Sequence, residues 1–236
     1  ADPIESESGS RHYSTWEAAN DDYTITVVAA PLRQSIDILQ AMLTAKRRGI
    51  IFDIGSIKSP IQSILKNMAN IGMQVTSIHP MFGPDSDLLT GKQIIFMDID
   101  QQNTHQDVKK LFESTTAQLI DMSIENHDYA IAYVLGLSHM INIAFAKVLA
   151  STDDNRAVLP NLSSTTFKDQ LNVAKRVTDE NPHLYFEIQH LNEHSLKTIK
   201  ELNSAISEIT QAITEGQEET FVAMMEEGQS YFNKNE

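Results

Sequence analysis

Two short segments that are rich in chemically useful side chains follow neighbouring predicted strands. Residues 53–58 (Asp-Ile-Gly-Ser-Ile-Lys) supply the hydroxyl of Ser56 and the cation of Lys58. Residues 79–86 (His-Pro-Met-Phe-Gly-Pro-Asp-Ser) hold His79 in a loop that two prolines make rigid. Ligands bind at the carboxyl ends of strands in doubly wound sheets, and a histidine held there is a candidate general base. Each segment alone also fits an ordinary turn, with a solvated lysine or a structural histidine.

A second set of polar side chains lies on predicted helices in the other half of the chain. His139 interrupts an otherwise apolar helix, where an unpaired polar group costs about 1–3 kcal/mol. It is either a core histidine bonded to a carbonyl or a group that faces a polar ligand. Lys168 and Arg176 are eight residues apart, slightly more than two helical turns, so they point the same way. Such a pair suits a small dianion, and a solvated basic face is the alternative.

The spacing of glycine and histidine argues against several common sites. No two of the nine glycines are closer than six residues. A dinucleotide fingerprint needs glycines two and then three residues apart, and a P-loop needs two glycines five apart. The chain has no cysteine, which excludes disulfides, thiolate metal sites and thiol catalysis. His190 and His194 have the helical spacing of metal ligands, but no third ligand accompanies them, so we expect no metal site.

The charge of the chain argues against polyanionic partners. With 18 Lys and Arg against 32 Asp and Glu, the 236 residues carry a formal net charge of −14. A surface this acidic repels phosphate groups, so we expect no nucleic acid partner. Residues 129–150 are apolar enough to suggest a membrane span, but polar side chains such as Asn142 and Lys147 interrupt them. We therefore expect a buried core helix, no membrane and a cytoplasmic protein.

The elements that position these residues change in character near residue 125. Apolar runs of strand length alternate with helical patterns in the first half, and only helical patterns follow. The predicted strands are 23–30, 50–54, 73–78, 93–97 and 118–122. The predicted helices are 35–47, one opened by a Ser59 cap and Pro60, 105–117, 127–151, 163–179, 182–215 and 217–233. The pattern predicts an α/β Rossmann-like domain over residues 1–124 and an all-helical domain over residues 125–236.

Taken together, these segments resemble the prephenate dehydrogenase family of tyrosine biosynthesis. Residues 53–58 and 79–86 are similar to the paired signatures of its nucleotide-binding domain, and residues 136–139 (Gly-Leu-Ser-His) resemble its helical-domain histidine motif. The stretch from Leu162 through Arg176 to residues 181–185 (Asn-Pro-His-Leu-Tyr) most resembles the forms fused to chorismate mutase. The similarity runs in matching order from about residue 23 to residue 232.

The resemblance implies an NAD-dependent oxidoreductase that oxidatively decarboxylates prephenate to 4-hydroxyphenylpyruvate. It implies that His79 accepts the hydroxyl proton as hydride leaves and that Ser56 orients His79. It also implies a homodimer formed by the helical domain, with the active site in an interdomain cleft. The implied substrate-binding residues are Arg176, His139, Lys58 and Lys168. The implied cofactor-binding residues are Asp2, Pro31, Asp53 and Ser56. Lys168 departs from the arginine of the fused relatives and loses its bidentate geometry.

The chain also departs from the family at its start, because the family opens with a strand, a glycine-rich turn, a helix and a second strand ending in an acidic residue. Here Asp2 matches that acidic residue, which favours NAD over NADP. We therefore expect an N-terminally truncated form that exposes an apolar edge at residues 23–30 and binds NAD weakly. Arogenate dehydrogenase and a non-catalytic dimerising paralogue are the alternatives. The retention of Ser56, His79, His139 and Arg176 argues against the paralogue.

Overall fold

A computed structural model describes residues 15–18, 23–83, 88–99, 102–152, 159–162 and 164–233, without the side chains of residues 160 and 161. The chain divides into two units, residues 1–127 and 128–236. The division falls three residues beyond the predicted domain boundary. The first unit combines a sheet with helices, and the described part of the second unit is helical. The predicted Rossmann-like class followed by an all-helical domain is confirmed.

The first unit is built on a five-stranded sheet with the spatial order β1-β2-β3-β4-β5. The strands are β1 (Ile25–Val28), β2 (Ile50–Asp53), β3 (Val75–Pro80), β4 (Gln93–Asp98) and β5 (Gln118–Ser123). All neighbouring pairs are parallel except β3 and β4, which are antiparallel. Among the described strands β1 pairs with β2 alone, and Val27 on β1 is 47% exposed. Asp53 lies opposite Ser77 in the register of β2 and β3, so the ends of these strands meet.

In the described part of the first unit, three helices flank the sheet: α1 (Leu32–Ala45), α2 (Gln62–Asn70) and α3 (Thr104–Lys110). The prediction that Ser59 and Pro60 open the second helix is wrong, because α2 begins at Gln62 after a turn. The amides of Ile61 and Gln62 both donate to the Lys58 carbonyl, which closes that turn before the helix starts. The predicted helix 105–117 is also too long, since residues 111–117 form turns. A buried cluster of Phe52, Ile78, Ile94, Phe96 and Val108 forms a core of this unit.

The described part of the second unit is formed by helices. A helical run leads into it through α4 (Ile124–Ile131), a π-helical segment (Ala132–Leu137) and α5 (Ser138–Ala150). The others are α6 (Thr165–Asp179), α7 (Pro182–Leu191), α8 (Ser195–Glu215) and α9 (Glu218–Asn233). The prediction of a single helix over 182–215 is wrong, because the helix is interrupted at Asn192 and resumes at Ser195. The buried Asn192 amide donates to the Asp128 carbonyl, and its Oδ1 accepts from the His194 amide, so it replaces helical hydrogen bonds.

The run Ile124–Ala150 is less buried than expected. It spans 27 residues, and its most apolar 18-residue window has a mean hydropathy of 1.5 but is only 28% buried. The prediction of a buried core helix is therefore wrong for most of its length. Val134, Ile141 and Val148, at seven-residue intervals, are 56%, 41% and 63% exposed. The run is long and apolar enough to cross a membrane, but one such helix is weak evidence because helices of proteins in water pass the same test.

Candidate active site

A buried ion pair joins the ends of β2 and β3. The Lys58 ammonium lies 2.8 Å from Asp53 Oδ2, and both side chains are almost completely shielded from solvent. The Asp53 carboxylate also accepts the Gly55 amide at 2.8 Å and the Ser77 hydroxyl. Lys58 donates further to the carbonyls of Gly55 at 2.5 Å and Ile78 at 2.9 Å. This network holds the turn after β2 against the residue that precedes His79.

The same network corrects the predictions for Lys58 and Asp53. Lys58 is neither a solvated cation nor a side chain lining an open pocket, because its ammonium already has a carboxylate and two carbonyl partners. Asp53 likewise has its charge balanced and its oxygens bonded inside the unit. Burial of a charge requires such pairing. We therefore interpret both residues as supports of the strand ends.

His79 occupies the carboxyl end of β3, with only 2% of the residue exposed. Its Nδ1 lies 2.9 Å from Nε2 of His127, a completely buried residue of α4. The two rings are tilted by 59° with centroids 5.1 Å apart, so they meet through this hydrogen bond and are not stacked. Among the described residues, Nε2 of His79 has no hydrogen-bond partner.

The surroundings of His79 favour the neutral imidazole. Burial is the main cause that lowers the pKa of His79 well below its ordinary 6.5, and nearby His127 and Lys58 lower it further. Burial removes the solvation of a cation, and the Lys58 charge repels one. A neutral imidazole at neutral pH has a nitrogen that accepts a proton, which is the form a general base requires.

Of the predicted cofactor residues, Pro31 and Ser56 follow the carboxyl ends of neighbouring strands, and one other lies outside the described residues. Ser56 is half-buried in the turn after β2, and its hydroxyl makes no hydrogen bond to the part of the chain that the structure describes. Pro31 is exposed and precedes α1 after β1. The implied orientation of His79 by Ser56 stays a prediction, and in the described residues His127 contacts Nδ1 of His79. Asp2 lies outside the described residues.

In the second unit, His139 is 8% exposed and stacks on Tyr185, with centroids 4.1 Å apart and the planes 21° from parallel. Burial lowers the pKa of His139, which favours its neutral form. Its Nδ1 is buried without a hydrogen-bond partner among the described residues, as are Gln189 Oε1 and Ser195 Oγ. Those two oxygens lie 3.7 and 3.8 Å from the point where a Cβ on Gly136 would stand. The predicted histidine motif is therefore part of a polar cluster in an apolar helical region.

The two predicted cations of the helical unit lie on α6. Lys168 and Arg176 are both exposed, and neither has an ion-pair partner in the described ranges. The side chain of Ser164 accepts the Phe167 amide at 3.2 Å and caps this helix, which fixes its start. The described residues therefore leave the charges of both cations uncompensated.

Sequence reasoning missed His127, the partner of His79. The signal was weak, because His127 lies with Asn126 and Asp128 in a polar triplet at the start of an apolar helix. Such residues are common at exposed helix starts, whereas here His127 and Asp128 are buried. Within the described ranges no group of three His, Asp or Glu side chains is arranged to hold a metal ion.

Comparison with known proteins adds independent evidence. Residues 10–121 match the family model of the prephenate dehydrogenase nucleotide-binding domain, and residues 123–227 match that of the prephenate dehydrogenase dimerization domain. The T-protein of Enterobacter agglomerans is 26% identical over 217 residues, which are 92% of this chain and 57% of that protein. A probable arogenate/prephenate dehydrogenase of Methanocaldococcus jannaschii is 24% identical over 212 residues, which are 88% of this chain and 48% of that protein. The chain thus spans about half the length of these curated relatives.

Solved structures share the fold. A prephenate dehydrogenase from A. aeolicus in complex with hydroxyphenyl propionate and NAD+ has a TM-score of 0.71 at 20% identity, covering 95% of this chain and 81% of that one. Synechocystis arogenate dehydrogenase has a TM-score of 0.68 at 16% identity, covering 92% and 80% of the two chains. The two family models together account for nearly all of the sequence, in the order in which the units follow each other. This chain belongs to the prephenate dehydrogenase family.

Proposed function

We propose that this chain carries the catalytic residues of an NAD-dependent dehydrogenase that oxidatively decarboxylates prephenate to 4-hydroxyphenylpyruvate in tyrosine biosynthesis. The observation that carries the proposal is His79, a buried and neutral imidazole at the carboxyl end of β3 with one ring nitrogen held by His127. The family match supplies the reaction class to which this base belongs.

His79 acts as the general base in this proposal. Its Nε2 accepts the proton of the substrate's ring hydroxyl while the carbon that carries this hydroxyl loses hydride. The ring carboxylate then leaves as CO2, its electron pair enters the ring, and the product is aromatic. Bound nicotinamide supplies the hydride acceptor. Because burial keeps His79 neutral, the base remains competent at and below neutral pH.

The residues near the strand ends fit the nicotinamide side of a dinucleotide. Ser56 presents a hydroxyl that makes no hydrogen bond to the described residues. A Cβ on Gly55 would lie 3.2 Å from Asp53 Oδ2, so glycine keeps the turn close to the strand end. We propose that Ser56 and Pro31 contact the cofactor while Asp53 supports the turn. The glycine spacing of a pyrophosphate-binding turn does not occur in residues 1–236, so the proposal places only these contacts with the cofactor on the described residues.

The second unit supplies groups that suit the substrate. Arg176 grips a carboxylate with two parallel hydrogen bonds in this proposal, and Lys168 adds a second positive charge. His139, held against Tyr185, offers a neutral ring nitrogen to a polar group of the ligand. On a chain with a net charge of −14, local cations are needed to attract a dianion.

The exposed apolar positions of the helical unit support a homodimer. The matching family model is described as a dimerization domain. Val134, Ile141 and Val148 repeat every seven residues and are exposed in the single chain, the pattern of a seam between helices. We propose that a second copy covers this seam and that the dimer is cytoplasmic.

Turnover on two substrates tests the proposal. Purified protein is given prephenate or arogenate with NAD or NADP, and formation of the reduced nicotinamide is followed. We expect the highest kcat/KM with prephenate and NAD, and preference for arogenate would correct the substrate. Arg176→Ala should raise KM for prephenate with little change in kcat, and an unchanged KM would remove Arg176 from the substrate site.

A further inference from the structure

The hydrogen bond between His79 and His127 has two possible directions with opposite consequences. Two neutral imidazoles share one proton between Nδ1 of His79 and Nε2 of His127, which are 2.9 Å apart. If Nδ1 of His79 donates, its Nε2 carries no proton and is an acceptor. If His127 donates, Nε2 of His79 carries the proton and has no lone pair with which to accept another.

We propose that His127 is a positioning residue that holds His79 in the tautomer protonated on Nδ1, so that Nε2 faces the reacting hydroxyl as a bare acceptor. In this arrangement Nε2 of His127 accepts the bond, and the proton of the neutral His127 ring lies on Nδ1. The inference rests on the proposed function, since only a base at Nε2 needs this direction.

The surroundings make the neutral pair the stable state. Both residues are buried, and the Lys58 ammonium bonded to the Ile78 carbonyl opposes a further positive charge next to His79. The Asp53 carboxylate, which shares the Lys58 network, is already engaged with Lys58 and Ser77. His79 lies near the end of β3 and His127 lies within α4, so two separate backbone elements hold the two rings. A partner on the second ring nitrogen commonly sets the tautomer of a functional histidine.

Nitrogen-15 NMR of the histidine rings tests the tautomer without any turnover. In the full chain labelled with 15N-histidine, His79 is assigned by the signals that vanish in His79→Gln. We expect a pyrrole-type shift at Nδ1 and a pyridine-type shift at Nε2 of His79. His127→Gln keeps an acceptor at about the reach of Nε2 and should preserve this pattern, whereas His127→Phe should lose it. The matched control His105→Gln changes another buried histidine of the same unit and should leave His79 unchanged.

Turnover separates positioning from general packing. His127→Phe should lower kcat by roughly 10- to 100-fold, as loss of a partner that orients a functional histidine does, with KM nearly constant. His127→Gln should restore most of kcat. A wild-type His79 protonated on Nε2, or an unchanged His79 pattern in a folded His127→Phe, would overturn the inference. The tautomer is read from the wild type alone if His127→Phe does not fold. A correct tautomer in a protein that does not oxidise prephenate would refute the proposed function and not the hydrogen bond.

Discussion

Replacing Lys58 by methionine should destabilise the first unit strongly, because it leaves the Asp53 carboxylate buried without a counter-charge. Lys58 and Asp53 are 0% and 1% exposed and lie 2.8 Å apart. Removing one partner of a buried pair typically costs about 3–5 kcal/mol. Two other donors remain on the carboxylate, the Gly55 amide and the Ser77 hydroxyl, so we expect the lower end, about 3 kcal/mol.

A second substitution reveals whether the uncompensated charge is the cause. Adding Asp53→Asn to Lys58→Met removes that charge, so the double variant should be more stable than Lys58→Met alone by about 1–3 kcal/mol. The matched control is Lys66→Met, which breaks a pair with Glu125 of similar length, 2.7 Å, but with side chains 41% and 54% exposed. That exposed pair should contribute under about 1 kcal/mol.

The assay is urea unfolding followed by circular dichroism, with hydrogen exchange of residues 50–80 to isolate the first unit. Exchange is needed because a chain of two units need not unfold in one step. A cost of Lys58→Met as small as that of Lys66→Met would refute the reasoning. Further destabilisation by Asp53→Asn would refute it as well.

Three further outcomes follow from the same structure. The unfolded chain protonates His79 below about pH 6.5, whereas the lowered pKa of His79 keeps the folded form neutral. The stabilising contribution of His79 is therefore complete above that pH and decreases by up to about 1.4 kcal/mol per pH unit below it. His79→Gln should flatten this dependence in urea titrations between pH 7 and 5, and an unchanged slope would contradict the burial of a neutral ring. Gly49→Ala should lower the urea midpoint of unfolding more than Gly72→Ala does. Both glycines have φ near +80°, but only at Gly49 would a Cβ lie 2.7 Å from the Thr24 carbonyl oxygen. Equal midpoints for the two variants would contradict this close approach. Ile141→Lys should raise the dissociation constant of the dimer at least about tenfold in sedimentation velocity, because it buries a charge in the seam. The control Ile71→Lys, at an exposed position of the first unit, should leave that constant unchanged. Equal dissociation constants for the two variants would place the interface elsewhere.

Local patterns in the sequence predicted the sheet because each strand carries its own signal. The runs at residues 50–54 and 93–97 are almost continuously apolar, as buried strands are, and both form strands. The antiparallel pairing of β3 with β4 could not be predicted, because the composition of either strand does not indicate the direction of its partner.

Three of the errors share one physical origin, which is a polar side chain that bonds to a distant part of the chain. Asn192 breaks the predicted long helix because its amide reaches the carbonyl of Asp128, 64 residues earlier. Lys58 was predicted to bind the substrate because its bonds to Asp53 and to the Ile78 carbonyl form only in the folded sheet and leave no signal in its own segment. His127 was missed for the same reason, since nothing in its own segment indicates His79, 48 residues earlier.

The most direct test of the central claim is the turnover of prephenate with NAD by His79→Gln, compared with wild type and with the control His105→Gln. Loss of a general base should lower kcat by roughly 10²- to 10⁴-fold while KM for prephenate changes little. His105→Gln should retain wild-type turnover because His105 lies on α3, outside the proposed site. A loss of less than about threefold in His79→Gln would contradict the assignment of His79 as the base, given the usual size of that contribution.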